Sequence, residues 1–124
     1  AKVYGIDLHD SLIGQAQMNA EVLGVSNVQF RTGSAYALPF EEGSVDAATC
    51  FLMLHHLEDI KFALFEIKRV LKKGGTLTAI EPLAHQHHHG PQLSEAEWRE
   101  LFEDVGFYVE TGEMEGSVVI KAVK

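Results

Sequence analysis

The sequence predicts an α/β fold, a mostly parallel sheet flanked by helices and finished by an antiparallel C-terminal hairpin. Three observations carry that reading. Apolar strand-like runs alternate with segments of helical period, in the order β-α-β-loop-β-α-β-loop-α-β-β. The stretch from Val45 to Met53 is one largely apolar run, as expected of a parallel strand covered on both faces. The last two strand-like stretches, Phe107 to Thr111 and Val118 to Val123, are joined by Gly-Glu-Met-Glu-Gly-Ser, which suits a hairpin.

The first strand, Val3 to Ile6, ends in an acid, Asp7. From Ser11 to Leu23 the residues Leu12, Ile13, Ala16, Ala20 and Leu23 fall on one helical face. Asp10 or Ser11 can cap that helix and Gly24 can stop it. Val28, Phe30 and Thr32 alternate as in a short strand, and a loop rich in Gly, Pro and small residues follows from Gly33 to Ser44. After the Val45 run, Glu58-Asp59 opens a helix whose apolar stripe is Ile60, Ala63, Leu64, Ile67 and Leu71. Lys72-Lys73-Gly74-Gly75 reads as its end, and Thr76 to Ile80 as a strand stopped by Pro82. Ser94 to Glu97 is a capping box before a helix with Trp98, Leu101, Phe102 and Val105 as its buried stripe, ended by Gly106.

A chain of 124 residues allows one domain, 1–124, with a sizeable core. Ten Lys and Arg against eighteen Asp and Glu give a formal charge of −8, which argues against a nucleic-acid partner or an anionic membrane surface. The one basic cluster, Lys68, Arg69, Lys72 and Lys73, fits a helix C-terminus, where cations oppose the negative end of the dipole. The single cysteine, Cys50, excludes an internal disulfide and suits a reducing compartment, so a cytoplasmic location is expected. No apolar run has the length of a bilayer span, and none reads as a signal peptide.

In a parallel sheet ligands bind at the carboxyl ends of the strands. Four places qualify: Asp7, the loop from Gly33, the stretch Cys50 to His56, and the loop from Glu81. A carboxylate at position 7 can accept both hydrogen bonds of a ribose diol, and can equally cap a helix or sit on the surface. Gly33-Ser34-Ala35 would let a planar ring approach the backbone, or is an ordinary strand-to-loop turn. His55 or His56 could act as a general base, although two adjacent side chains seldom face one pocket. His85, His87, His88 and His89 could hold a transition metal, but no acid or cysteine flanks them and no closed-site spacing is present, so no metal is expected. Gly-x-Ser-x-Gly, Gly-x-Gly-x-x-Gly and the phosphate loop ending Gly-Lys-Ser/Thr do not occur.

The run Leu38-Pro39-Phe40, Gly43-Ser44-Val45-Asp46, Leu54-His55-His56-Leu57-Glu58-Asp59 and Arg69-Val70-Leu71-Lys72-Lys73-Gly74-Gly75 resembles the middle of a class I S-adenosylmethionine-dependent methyltransferase. The similarity is to the small-molecule branch that includes the ubiquinone and menaquinone biosynthesis enzymes. The opening Tyr4 to Ala16 resembles that family's second strand and its acid, and Gly33 to Phe40 its adenine-side loop. The resemblance implies a Rossmann-like methyltransferase fold with strand order 3-2-1-4-5-7-6. It implies S-adenosylmethionine (SAM) as cofactor, with Asp7 and Leu8 at the ribose, Ser34 and Ala35 at the adenine, and Cys50 and Phe51 near the methionine portion. His55, His56 and the His85 to His89 loop would face a small-molecule methyl acceptor, with His55 or His56 as base.

Two features depart from the family pattern. Ser34 stands where an acid is usual, and neither the first strand nor its Asp-x-Gly-x-Gly-x-Gly loop is in these residues. A missing central strand leaves two edges to pair. Either the Val3 strand joins the Val45 strand in a six-stranded sheet, or a second chain fills the gap and makes a homodimer. The alternative to an enzyme is a non-catalytic relative, a remnant or interaction subunit with weak or no cofactor binding.

Overall fold

A computed structural model of the chain describes residues 2–83 and 93–124. Its chain contacts separate into two compact units, Ala1–Pro39 and Phe40–Lys124. The element order follows the one expected.

In the first unit, β1 (Val3–Asp7) pairs in parallel with β2 (Val28–Thr32), with Val3 opposite Val28 and Asp7 opposite Thr32. Between them runs α1 (Asp10–Leu23). Neither expected cap is used. His9 is the N-cap residue without a side-chain bond, because Asp10 is engaged by the Thr32 hydroxyl. The helix ends at Gly24, whose φ of 72° is left-handed. Of the predicted stripe only Ile13 is buried, and Leu12 and Leu23 are exposed.

In the second unit β3 (Val45–Phe51), β4 (Leu71–Pro82), β5 (Tyr108–Met114) and β6 (Ser117–Val123) form a sheet of order β3-β4-β6-β5. The β3–β4 pair is parallel and the other two are antiparallel. Helix α2 (Ile60–Val70) connects β3 to β4, and α3 (Glu95–Val105) precedes β5. In the order 3-2-1-4-5-7-6, omitting member 1 leaves 3-2 and 4-5-7-6, and these are the two sheets observed. Direct pairing of the Val3 and Val45 strands in one six-stranded sheet is therefore not what forms.

The core of the second unit lies on one face of its sheet. Ile60, Ala63, Leu64, Ile67 and Val70 of α2 and Trp98, Phe102 and Val105 of α3 are buried, as are Leu77 and Ala79 on β4 and Val118, Ile120 and Ala122 on β6. Strand β3 departs from its predicted double burial. Cys50 is buried, but Ala47, Thr49 and Phe51 are exposed. The caps follow chemistry read from the sequence. Asp59 accepts from the Phe62 N–H at 3.0 Å, and Ser94 and Glu97 make both bonds of the capping box.

The segment expected to be only a helix end, Lys72 to Gly75, belongs to β4, which begins five residues earlier than predicted. The register slips between Val45 and Ala47 to admit it. Gly75 is needed there for room, since a Cβ would lie 2.7 Å from the Lys72 carbonyl oxygen and 3.0 Å from that of Asp46. The hairpin turns through Glu115 and Gly116, both at positive φ, in a two-residue loop tighter than predicted.

Candidate functional site

The first unit gathers Asp7, Leu8, Ser34 and Ala35 at the carboxyl rim of β1 and β2. The Gly33 N–H donates to the Asp7 carbonyl at 2.9 Å, which ties the start of the loop to the end of β1. Asp7 is half-buried, and its Oδ1 accepts from the His9 N–H at 2.8 Å. Its Oδ2 has no hydrogen-bond partner among the described residues. Asp7 is thus not the helix cap, and its carboxylate keeps acceptor capacity for a diol. Ser34 Oγ accepts from the Tyr36 N–H at 3.1 Å, which leaves its O–H as a donor. The Ala37 N–H donates to the Ser34 carbonyl at 3.1 Å and closes the turn. A Cβ on Gly33 would come within 3.2 Å of Ile6 Cγ2, so a small residue keeps this rim open. Leu8 is exposed and Ala35 half-buried.

The second unit brings Cys50, Phe51, His55 and His56 to the carboxyl ends of β3 and β4. Alternation along β3 sends Cys50 and Phe51 to opposite faces. Cys50 lies on the helix-covered face, where burial first and the Glu81 charge second push its thiol up to about 12. Phe51 is 69 % exposed on the other face. Strand β3 then breaks. The Leu52 N–H still donates to the Ile80 carbonyl at 2.9 Å, but Leu52 takes a φ of 52° and a single 3-10 turn, Leu54–His56, follows. That left-handed residue ends the strand, and the two histidines on the turn differ in exposure. His55 is buried and His56 is exposed. Their rings are 3.9 Å apart between centroids and inclined at 39°.

One residue of this rim was missed as an individual side chain. Glu81, fully buried on β4, accepts from the His55 N–H at 3.0 Å through Oε1, and the same oxygen is 3.5 Å from His55 Nδ1. Burial pushes its carboxyl up to about 7, against the opposing pull of the His55, Leu54 and Met53 N–H groups. Its Oε2 is buried with no hydrogen-bond partner among the described residues. The signal was available. In the alternation Leu77, Ala79, Glu81 the acid occupies a position that pattern assigns to the core.

The His85 to His89 loop lies outside the described residues. Among the described residues no group of three or more His, Cys, Asp or Glu is arranged to hold a metal ion.

A family model described as a methyltransferase domain matches residues 1–79, well over half of the chain. The chain belongs to the methyltransferase-domain family. It is 36% identical over 80 residues to an uncharacterized methyltransferase, YcgJ, of Bacillus subtilis. It is 39% identical over 80 residues to the demethylmenaquinone methyltransferase of Lactococcus lactis. Each match covers 64% of this chain and 32% of the relative, so the match spans about a third of the length of these curated proteins. Among solved structures, a SAM-dependent methyltransferase from Aquifex aeolicus superposes with a TM-score of 0.88 at 26% identity, over 98% of this chain and 68% of that one. The [4+2]-cyclase SpnF superposes with a TM-score of 0.90 at 19% identity, over 99% of this chain and 66% of that one, a likeness of fold. The Rossmann-like methyltransferase fold and the class I, SAM-dependent family expected from the sequence are those of this chain.

Proposed function

We propose that this chain carries contacts for S-adenosylmethionine and for a small-molecule acceptor in a methyl-transfer reaction. The observation that carries the reading is Asp7: a half-buried carboxylate at the end of β1, with Oδ2 uncommitted among the described residues, beside a glycine-opened turn. That donor set fits an adenosine. Asp7 accepts from the ribose hydroxyls with Leu8 beside them, Ser34 offers its O–H to the base edge, and Ala35 gives the ring a small wall. Ser34 bonds the base more weakly than a carboxylate would.

Bound SAM supplies a methyl group on a positively charged sulfur, which is the reactive electrophile. The residues of this chain bind, orient and manage protons. Phe51 offers an exposed apolar surface toward the methionine portion, whereas Cys50 supports it from the buried side as a neutral thiol. His56, exposed where His55 is not, is the imidazole able to take a proton from the acceptor. The acceptor is a small molecule, as the name of the Lactococcus lactis relative suggests. No helix among the described residues is long and apolar enough to cross a membrane, and a lone reduced thiol suits the cytoplasm. A homodimer through strand edges is part of this reading, and light scattering coupled to size exclusion tests it.

The second reading is a family fold put to other use, as a binding subunit or for a different reaction. It is favoured by Ser34 in place of an acid. Calorimetric titration with S-adenosylhomocysteine separates the two. Micromolar binding that weakens tenfold or more in Asp7→Ala supports the methyl-transfer reading. No heat at millimolar ligand supports the second.

A further inference from the structure

The buried carboxylate of Glu81 has no part in cofactor recognition as proposed, and a charge in a core is costly unless it is matched. Its surroundings identify the match. Opposite it on β6 stands Val118, and α2 and α3 bury Ala63, Leu64, Trp98 and Phe102 on this face of the sheet. The titratable groups of the described residues that meet Glu81 are Cys50 on β3 and His55 on the 3-10 turn. Cys50 stays a neutral thiol and contributes no charge. His55 meets one carboxylate oxygen twice, through its backbone N–H at 3.0 Å and with its imidazole Nδ1 at 3.5 Å. Its ring in turn lies against that of His56, 3.9 Å away.

We propose that Glu81 is the positioning residue of the histidine turn, sharing one proton with the His55 imidazole and thereby fixing the ring against which the exposed His56 stands. The pair resolves two costs together. A fully buried carboxylate is stabilised by a positive partner, and a buried imidazole becomes more basic beside a carboxylate. The backbone bond fixes where the turn begins, and the shared proton fixes the orientation of the first ring. Glu81 acts through His55 and touches neither cofactor nor acceptor. The consequence for proton uptake at His56 rests on the methyl-transfer reading, but the pairing itself does not.

The test reads protons directly, with no methyl donor or acceptor present. The imidazole C2–H resonances are titrated by NMR from pH 5 to 9 in the wild-type chain and in Glu81→Gln, with His55 and His56 assigned from His55→Gln and His56→Gln. Glutamine keeps an acceptor for the His55 N–H and removes the charge, so a purely structural role for Glu81 predicts no change. The expected result is a fall of at least one pH unit, tenfold in proton affinity, in the His55 midpoint. A midpoint that moves by less than 0.3 unit overturns the proposal. Should Glu81→Gln fail to fold, His55→Gln gives the same information from the other side. The Glu81 side-chain carboxyl carbon, followed by 13C NMR, then titrates at higher pH than in the wild type, and an unchanged midpoint overturns the pairing. Failure here leaves nucleoside binding at Asp7 intact, and loss of that binding leaves the shared proton intact.

Discussion

Raising the pH should destabilise the second unit through Glu81. The carboxyl of a glutamate ordinarily titrates near 4.5 and is held at about 7 by burial at this site. For an acid whose folded-state pKa is raised, the folded state favours the protonated form. Stability is therefore fully present below the unfolded-state value and is lost as the pH climbs through the folded-state value. The window runs from about 4.5 to 7. Each tenfold change in proton affinity between the two states is worth roughly 1.4 kcal/mol, so the whole effect is about 3 kcal/mol, and about 2 kcal/mol once some relaxation of the buried site is allowed. Trp98 provides the assay. It is fully buried, its indole N–H donates to the Pro82 carbonyl at 3.1 Å, and it is the only tryptophan in the chain. Urea unfolding followed by its fluorescence at pH 4.5, 6 and 8 should be compared with the same series on Glu81→Gln, at micromolar protein because the pI is 5.2. Subtracting the two series cancels every group but Glu81 and its partner His55. The wild type should lose about 2–3 kcal/mol relative to the variant between pH 4.5 and 7. A flat difference curve, or one that rises with pH, would refute the claim that burial governs this carboxyl.

Phe102→Ala should cost about 3–5 kcal/mol, because a fully buried ring against Phe107 leaves a cavity in the core of the second unit, and the same fluorescence assay reads it. Gly75→Ala should cost about 1–3 kcal/mol, since its methyl would be driven against two backbone oxygens that cannot yield, whereas an alanine at exposed Lys73 should be within about 0.5 kcal/mol of wild type. Cys50 in the native chain should react with a disulfide reagent at pH 8 at least a hundredfold more slowly than in urea, because a thiol held up to about 12 is almost wholly protonated; equal rates would show that it is accessible and ordinary.

The parts of the fold that were legible in the sequence are those set by local chemistry. The capping box at Ser94 to Glu97, the stop at Gly106 and the apolar spacing of Ile60, Ala63, Leu64 and Ile67 each name their structure without knowledge of the rest of the chain. What stayed hidden was set by contacts distant in sequence. Lys72 to Gly75 reads as a helix end, but the pairing of Val45 with Leu71 draws it into a strand. Asp10 looks like a cap but is taken by Thr32, twenty-two residues away. At the candidate site, the positions of Asp7 at a strand end and Ser34 in a turn were legible because strand ends and turn residues mark themselves. Which of His55 and His56 is buried was not, because His55 packs against Glu81 on another strand. The burial of Glu81 was legible in its alternation with Leu77 and Ala79, but its partner was not, because His55 lies twenty-six residues earlier in the chain, a separation that no local pattern spans.

The two units are very unequally supported. Of the buried apolar side chains among the described residues, Ile13 alone belongs to the first unit. Two paired strands and one helix with so little interior are marginal by themselves. Their amides should exchange through small local openings long before the second unit yields. The carboxylate proposed to grip the ribose is thus mounted on the softer part of the molecule, so occupancy by a nucleoside would be converted into order there. Hydrogen–deuterium exchange over residues 2–39 would then record ligand capture as slowed exchange, a signal that a measurement of whole-chain melting would scarcely register.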